Sequence, residues 1–117
     1  MSVAETDTLR VVARVLASAD IGAALVRAEN DTFKMVSERD IARALAEEAD
    51  PDKVWAADVA SEGLVTADAR DRILQVAFTM LAGDIRHVAI EQDGEVMGVV
   101  SSRGVFAVLA EHALAMF

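Results

Sequence analysis

Apolar positions along the chain switch between helical and alternating spacing in a fixed order. From Asp71 to Leu81, Ile73, Leu74, Ala77, Phe78 and Leu81 recur at helical spacing, and Gly83 follows as a stop. His87 to Ile90 then reads as a short strand and Val96 to Val100 as its return. Between them Gln92-Asp93-Gly94 reads as a turn, because Asp-Gly supplies the positive φ angles of a tight hairpin. Val105, Phe106, Val108 and Leu109 are expected to face inward from a final helix. The same order runs earlier in the chain. Leu9, Val12, Ala13 and Leu16 form a helical stripe, and Ala24 to Arg27 and Phe33 to Val36 are strands around the turn Glu29-Asn30-Asp31. Ile41 to Ala49 closes the first set as a helix. Between the sets, Pro51 ends that helix and opens a short one through Trp55 to Val59. Gly63-Leu64-Val65-Thr66 reads as the strand that opens the second set. Its counterpart falls at or before Met1, so the first set is expected to lack most of its opening strand. Trp55, the only tryptophan, is expected to pack against a shared core.

The two sets are copies. Val36-Ser37-Glu38-Arg39-Asp40-Ile41 returns 64 residues later as Val100-Ser101-Ser102-Arg103-Gly104-Val105. Sliding 1–49 over 65–113 without a gap gives twelve identities, at positions 7, 12, 13, 20, 21, 36, 37, 39, 45, 46, 47 and 49. Composition alone gives about four. Two copies make a tandem pair rather than a solenoid. A copy of roughly 50–60 residues buries little surface alone, so the halves are expected to share one core.

Composition narrows the function classes. The hydrophobic share is 54% and the mean hydropathy +0.32, which is high for so short a chain. Part of that excess is expected in an oligomer interface. The stripes Leu9, Val12 and Leu16, with Ile73, Ala77 and Met80, exceed what one small sheet covers, so a flat homodimer packed through helices of both copies is expected. The net charge of −9 argues against binding nucleic acid or an anionic membrane face. Without cysteine there is no disulfide, thiol catalysis or thiolate metal site. Neither a signal sequence nor an apolar run of about 18–20 residues is visible, and a cytoplasmic location is the expectation.

The candidate chemistry sits where a strand becomes a helix. Ser37-Glu38-Arg39-Asp40 has the form of an N-terminal cap, with Ser37 accepting a backbone N–H and Asp40 reaching back. That account needs no ligand. The same place offers free N–H groups and a partial positive charge to a phosphate, and a carboxylate there can accept both hydroxyls of a ribose. Metal and nucleophile chemistry find no pattern. His87 and His112 are no local pair, there is no Gly-rich phosphate loop, and Ser37 has no histidine placed by sequence.

Strand, Ser/Thr-x-x-Asp and helix, duplicated at about this spacing, resemble the cystathionine β-synthase (CBS) domain pair, or Bateman module. Ile85-Arg86-His87-Val88-Ala89-Ile90 looks like that family's "RHLPV" strand, and Met97-Gly98-Val99-Val100-Ser101 like its "GIVS" strand. Asp58-Val59-Ala60-Ser61 with Leu64-Val65-Thr66 looks like its linker. The resemblance implies an α/β fold of α+β type: a tandem pair of β-α-β-β-α repeats with pseudo-twofold symmetry. Residues 1–49 are then the first repeat, with a truncated opening strand. Residues 50–61 form a linker with a short helix, and 62–117 the second repeat. It implies a stand-alone regulatory module rather than an enzyme, with no required cofactor. The ligand is an adenine nucleotide (AMP, ADP or ATP) or S-adenosylmethionine, and the regulated target is an unknown separate protein. The alternative is a dimeric interaction scaffold that no longer binds nucleotide.

Carried over residue by residue, the resemblance gives Ser37 and Asp40 as the ribose pair and Arg39, Arg86, His87 and Arg103 as phosphate candidates. Ser101 keeps the cap position of the second copy. The copies depart from one another. Gly104 stands where the first copy has Asp40, Gly22-Ala23 stand where the second has Arg86-His87, and Lys34 replaces the glycine seen at Gly98. One well-formed site per chain is therefore expected.

Overall fold

The 64-residue offset reappears element by element in the computed structural model. The model describes residues 2–29, 32–61 and 64–115, the last four of these by backbone only. The first unit, Met1–Leu64, holds β1 (Ser2–Ala4), α1 (Leu9–Ala19), β2 (Ala23–Arg27), β3 (Phe33–Ser37), α2 (Glu38–Ala46) and α3 (Ala56–Val59). The second, Val65–Phe117, holds β4 (Thr66–Asp68), α4 (Ile73–Gly83), β5 (His87–Gln92), β6 (Glu95–Ser101) and α5 (Ser102–Ala115). Each unit carries a three-stranded mixed sheet. β1 runs parallel to β2, which pairs antiparallel with β3; β4, β5 and β6 repeat the arrangement.

The repeat extends to single hydrogen bonds. Glu38 N donates to the Gly22 carbonyl at 2.9 Å, and Ser102 N to the Arg86 carbonyl at 2.7 Å. Asp7 Oδ2 accepts from Ala4 N at 2.9 Å, and Asp71 Oδ2 from Asp68 N at 3.0 Å. α1 and α4 end alike, on Asp20 at φ 52° and Asp84 at φ 50°, left-handed positions that a short polar side chain tolerates. This corrects the expectation of a glycine stop. Gly83 is the last helical residue, and a Cβ there would lie 2.7 Å from Ile85 Cδ1. The glycine serves a close approach of Ile85, and Asp84 makes the turn.

The two hairpins differ. Asp93 and Gly94 both have positive φ, 52° and 82°, as a two-residue turn matching strand twist requires. The register then shifts between Ile90 and Glu91, leaving Met97 as the extra residue of a bulge. In the first unit Arg27 pairs with Phe33 in unbroken register. The expected turn residues Asn30 and Asp31 lie outside the described residues.

Several expectations need correction. The opening strand begins at Thr66 rather than at Gly63, which lies outside the described residues. Moved back by 64, Thr66–Asp68 becomes Ser2–Ala4, and those residues do form β1 beside Leu25, Val26 and Arg27. The first copy is therefore not truncated at its opening strand; the error came from placing the strand three residues early. Trp55 is 48% exposed and belongs to no core cluster. Its backbone bridges Thr8 and donates to Asp58 Oδ2 at 3.0 Å, so this position works as the entry to α3. The buried residues form two clusters, not one. Val3, Val12, Leu16, Ala24, Val26, Val36, Ile41 and Ala56 fill the first unit, and Val76, Ala77, Met80, Val88 and Val105 the second. Of the α5 residues expected to face inward, Val105 and Leu109 do so, while Phe106 and Val108 are exposed. Ala13 on α1 is exposed too. On α4 the inward stripe is Val76, Ala77 and Met80; Ile73, Leu74, Phe78 and Leu81 face out.

Residues 50–61 are stitched to the first unit. Leu9 N donates to the Val54 carbonyl at 3.1 Å and Arg10 N to that of Pro51 at 3.0 Å. Ala56 N donates to the Asp7 carbonyl at 2.7 Å, Ala57 N to that of Glu5 at 3.0 Å, and Ser61 N to that of Met35 at 2.8 Å. The Arg10 guanidinium adds a two-pronged salt bridge to Asp52, its Nη2 lying 3.0 Å from Oδ2.

Candidate functional site

Ser37 ends β3 in extended conformation and caps α2. Its Oγ accepts from Asp40 N at 3.2 Å, and Asp40 Oδ2 accepts from Ser37 N at 2.8 Å. The Ser37 hydroxyl also donates to Asp40 Oδ2, at 3.0 Å. The reciprocal cap read from the sequence is thus present in full, and it engages one carboxylate oxygen. The second oxygen, Oδ1, meets only the Ser61 hydroxyl, 3.5 Å away, among the described residues. Both Ser37 and Asp40 are part-buried, and Arg39 beside them is exposed on the first turn of α2.

Sequence reasoning missed Ser61. It lies 21 residues from Asp40, and the backbone bond from Ser61 N to Met35 brings its hydroxyl within 3.5 Å of both Asp40 oxygens. The available signal was the segment Asp58-Val59-Ala60-Ser61 itself, which reads as a connection until its pairing with β3 is known.

The second unit repeats the turn without the carboxylate. Ser101 Oγ accepts from Gly104 N at 3.0 Å, and no side chain at Gly104 can reach back. A Cβ at Gly104 would meet Ser101 Oγ at 3.4 Å, an ordinary contact. The glycine is therefore not forced by packing. His87 opens β5 directly opposite Ser101 on β6, and Arg86 precedes it with its carbonyl held by Ser102 N. His87 is half-buried, while Arg86 and Arg103 are exposed. Ser101, His87, Arg86 and Arg103 are thus gathered at one strand-to-helix junction, as Ser37, Arg39 and Asp40 are at the other.

Among the described residues two carboxyls are held below their ordinary range, and both lie outside these turns. The Arg10 guanidinium lowers Asp52 by hydrogen bonding, and that of Arg70 lowers Asp68 in the same way. Among the described residues no group of three or more His, Asp or Glu could hold a metal ion, and no helix is long and apolar enough to cross a membrane.

Comparison with known proteins places this architecture. A family model described as CBS domain matches residues 56–111. A CBS domain protein from Pyrobaculum aerophilum, solved in complex with AMP, is 36% identical over 97% of this chain and 91% of its own, with a TM-score of 0.83. The chain belongs to the CBS-domain family. Its two β-α-β-β-α units form a tandem CBS pair, and the α/β fold is the one the resemblance implied. Hypoxic response protein 1 of Mycobacterium tuberculosis is 28% identical over 98% of this CBS pair and 82% of its own length. The crystal structure of hypoxic response protein I with two coordinated zinc ions superposes at a TM-score of 0.75, with 26% identity over 92% of this chain and 88% of that one. The CBS domain pair of a further protein, in complex with 5′-methylthioadenosine and S-adenosyl-L-methionine, shares the fold at a TM-score of 0.81 and 21% identity, over 93% of this chain and 90% of that one.

Proposed function

We propose that this CBS pair is a regulatory sensor of an adenosyl ligand, of the AMP, ADP, ATP or S-adenosylmethionine class, and that its occupancy controls a separate protein. It carries out no catalysis of its own and works in the cytoplasm as a homodimer. The observation that carries the reading is the Ser37–Asp40 turn. A carboxylate pinned through one oxygen by its own cap presents the other toward a hydroxyl-bearing ligand at a helix N-terminus. The AMP complex of the 36% identical relative supports the choice of ligand class. In the first unit Asp40 and Ser37 would hold ribose and Arg39 a phosphate; in the second, Arg86, His87 and Arg103, with Ser101, are the phosphate candidates. Gly104 removes the clasp from the second copy, so one site per chain is expected.

Titration calorimetry with AMP, ADP, ATP and S-adenosylmethionine tests this reading. Saturable binding of at least one of them, at one site per chain and lost in Asp40→Ala, is the expected result. Absence of heat and of competition with all four at millimolar concentration would reject it. A specific observation favours a second reading, a dimeric interaction scaffold without ligand: Asp40 Oδ2 is already satisfied by Ser37, so the turn is complete as a pure helix cap. The same titration separates the two.

A further inference from the structure

Residues 50–61 close the first unit along one side, and among the described residues nothing closes the second in the same way. On the first unit this segment engages five main-chain groups: the N–H of Leu9 and of Arg10, and the carbonyls of Glu5, Asp7 and Met35. Ala56 is buried in the first core, and Val59 and Ala60 pack against it. At the 64-residue offset the corresponding groups are the N–H of Ile73 and of Leu74, and the carbonyls of Ala69, Asp71 and Val99. No backbone bond from another element reaches any of these five among the described residues. Ala89 donates its N–H to Val65, so Val99 opposite it turns its own N–H and carbonyl to the outer edge of β6. Ser61 occupies the same edge of β3, at Met35.

Side chains record the same difference. Leu9 is 1% exposed and its counterpart Ile73 39%. Val3, Val26 and Val36 are buried, whereas Ala67, Ile90 and Val100 at the equivalent positions are only half-buried. Charge differs too. Glu5 and Asp7 leave residues 4–8 at −2, while Arg70 and Arg72 balance Asp68 and Asp71 in residues 68–72. Arg72 stands where the first unit has Thr8, and it is exposed.

We infer that an acidic, small-residue segment of another protein docks on the second unit between the first turn of α4 and the edge of β6, as residues 50–61 dock on the first. The inference rests on the reading above for the existence of a separate regulated protein. The segment's carbonyls accept from Ile73 and Leu74, its amides donate to Asp71 and Ala69, and its end pairs with Val99. Main-chain bonds of this kind hold an extended segment, and the side-chain pockets choose it. Small residues fit where Ala56, Ala57 and Ala60 stand, and acidic ones meet Arg72. Residues 50–61 themselves have this character, with Asp50, Asp52 and Asp58 against Lys53. A second copy's residues 50–61 are already committed to their own first unit through five bonds, so the occupant comes from a different protein.

The probe is a synthetic peptide of residues 50–61, titrated into the isotope-labelled whole chain to about 2 mM, within the range of effective concentration at which joined segments meet. Saturable amide shifts are expected at Ala69, Ile73, Leu74 and Val99 and not at Leu9 or Arg10. Arg72→Glu should weaken the peptide about 5-fold, as for an exposed charge pair, and a scrambled peptide should shift nothing. In a second measurement, residues 50–64 are repeated ahead of Met1; exchange of the Ile73 and Leu74 amides should slow at least about 10-fold. No shift with the peptide, or equal shifts with the scrambled one, overturns the partner segment. Unprotected amides in the fused chain overturn the surface itself. Shifts at these amides that grow with protein concentration alone would give the place to a second copy and overturn the inference as well. The adenosyl titration is made without peptide: nucleotide binding with no peptide shift sinks this inference and leaves the sensor standing, and peptide shifts without nucleotide binding do the reverse.

Discussion

Ser37 and Asp40 hold one another through three hydrogen bonds: Asp40 Oδ2 accepts from Ser37 N at 2.8 Å and from the Ser37 hydroxyl at 3.0 Å, and Ser37 Oγ accepts from Asp40 N at 3.2 Å. The cap of α2 uses Asp40 Oδ2, so the proposed ribose role, which would draw on Oδ1, can be separated from it. Asp40→Asn keeps the shape and offers one acceptor in place of two. Thermal unfolding should show a loss of about 0.5–2 kcal/mol, the worth of a helix cap. AMP binding should weaken by about 1.5–3 kcal/mol, as expected for hydrogen bonds to a charged group. Ser37→Ala should cost similar stability and less affinity. Equal AMP affinity in Asp40→Asn and wild type would assign Asp40 to the cap alone.

Gly104→Asp rebuilds the missing half of the cap in the second unit. The backbone accepts a Cβ there at an ordinary distance, and Ser101 already waits at the cap position. Replacing a helical glycine and completing a reciprocal cap should each add about 0.5–1 kcal/mol. A melting temperature raised by several degrees is the expected outcome. A lowered one would show that Gly104 is held for a reason the packing does not reveal. If ribose binding needs only this carboxylate, the variant should also titrate with two sites.

The exposed pair Arg10–Asp52 sets a pH dependence with a defined sign. Folding lowers the Asp52 pKa below its ordinary value near about 3.9. Its contribution is therefore present above that value and lost as pH falls through the lowered one. The wild type should exceed Asp52→Asn in stability at pH 7, with the gap closing below about pH 4 and shrinking in high salt. A gap that widens on acidification would contradict this assignment.

If Arg39, Arg86 and Arg103 serve the proposed nucleotide site, salt should weaken binding, because all three are exposed and exposed charges are screened. ATP should lose more affinity than AMP or S-adenosylmethionine between about 50 and 500 mM salt, since the chain's net charge of −9 opposes each added phosphate. Arg86→Ala should flatten the ATP dependence. ATP affinity indifferent to both salt and Arg86→Ala would remove these residues from the site.

Legibility from sequence followed the range of the forces involved. Both hairpins, all four long helices and the cap at Ser37 were readable, because turn chemistry and helical periodicity act within a few residues. Which face of α4 is buried was not. A helix apolar on every side gives periodicity no direction, so Leu74 and Phe78 could not be told from Val76 and Met80. The opening strands were misplaced by three residues because a three-residue strand carries almost no pattern. Ser61 was missed because its partner is set by a long-range pairing with Met35. Trp55 was placed inside on the strength of its size alone.

The stitching of residues 50–61 has a consequence for anyone who wishes to work with half of this molecule. The repeat in the sequence invites a cut after Ala49, yet that cut strips from the first sheet and helix the segment that supplies five backbone bonds and the partner of Arg10. A fragment of residues 1–64 keeps its strands, its cap and its buried cluster whole. It should give a dispersed amide spectrum and a cooperative melt where 1–49 gives neither. The useful border for dissection is therefore set by where the backbone is tied down, fifteen residues beyond the point at which the letters begin to fall out of step.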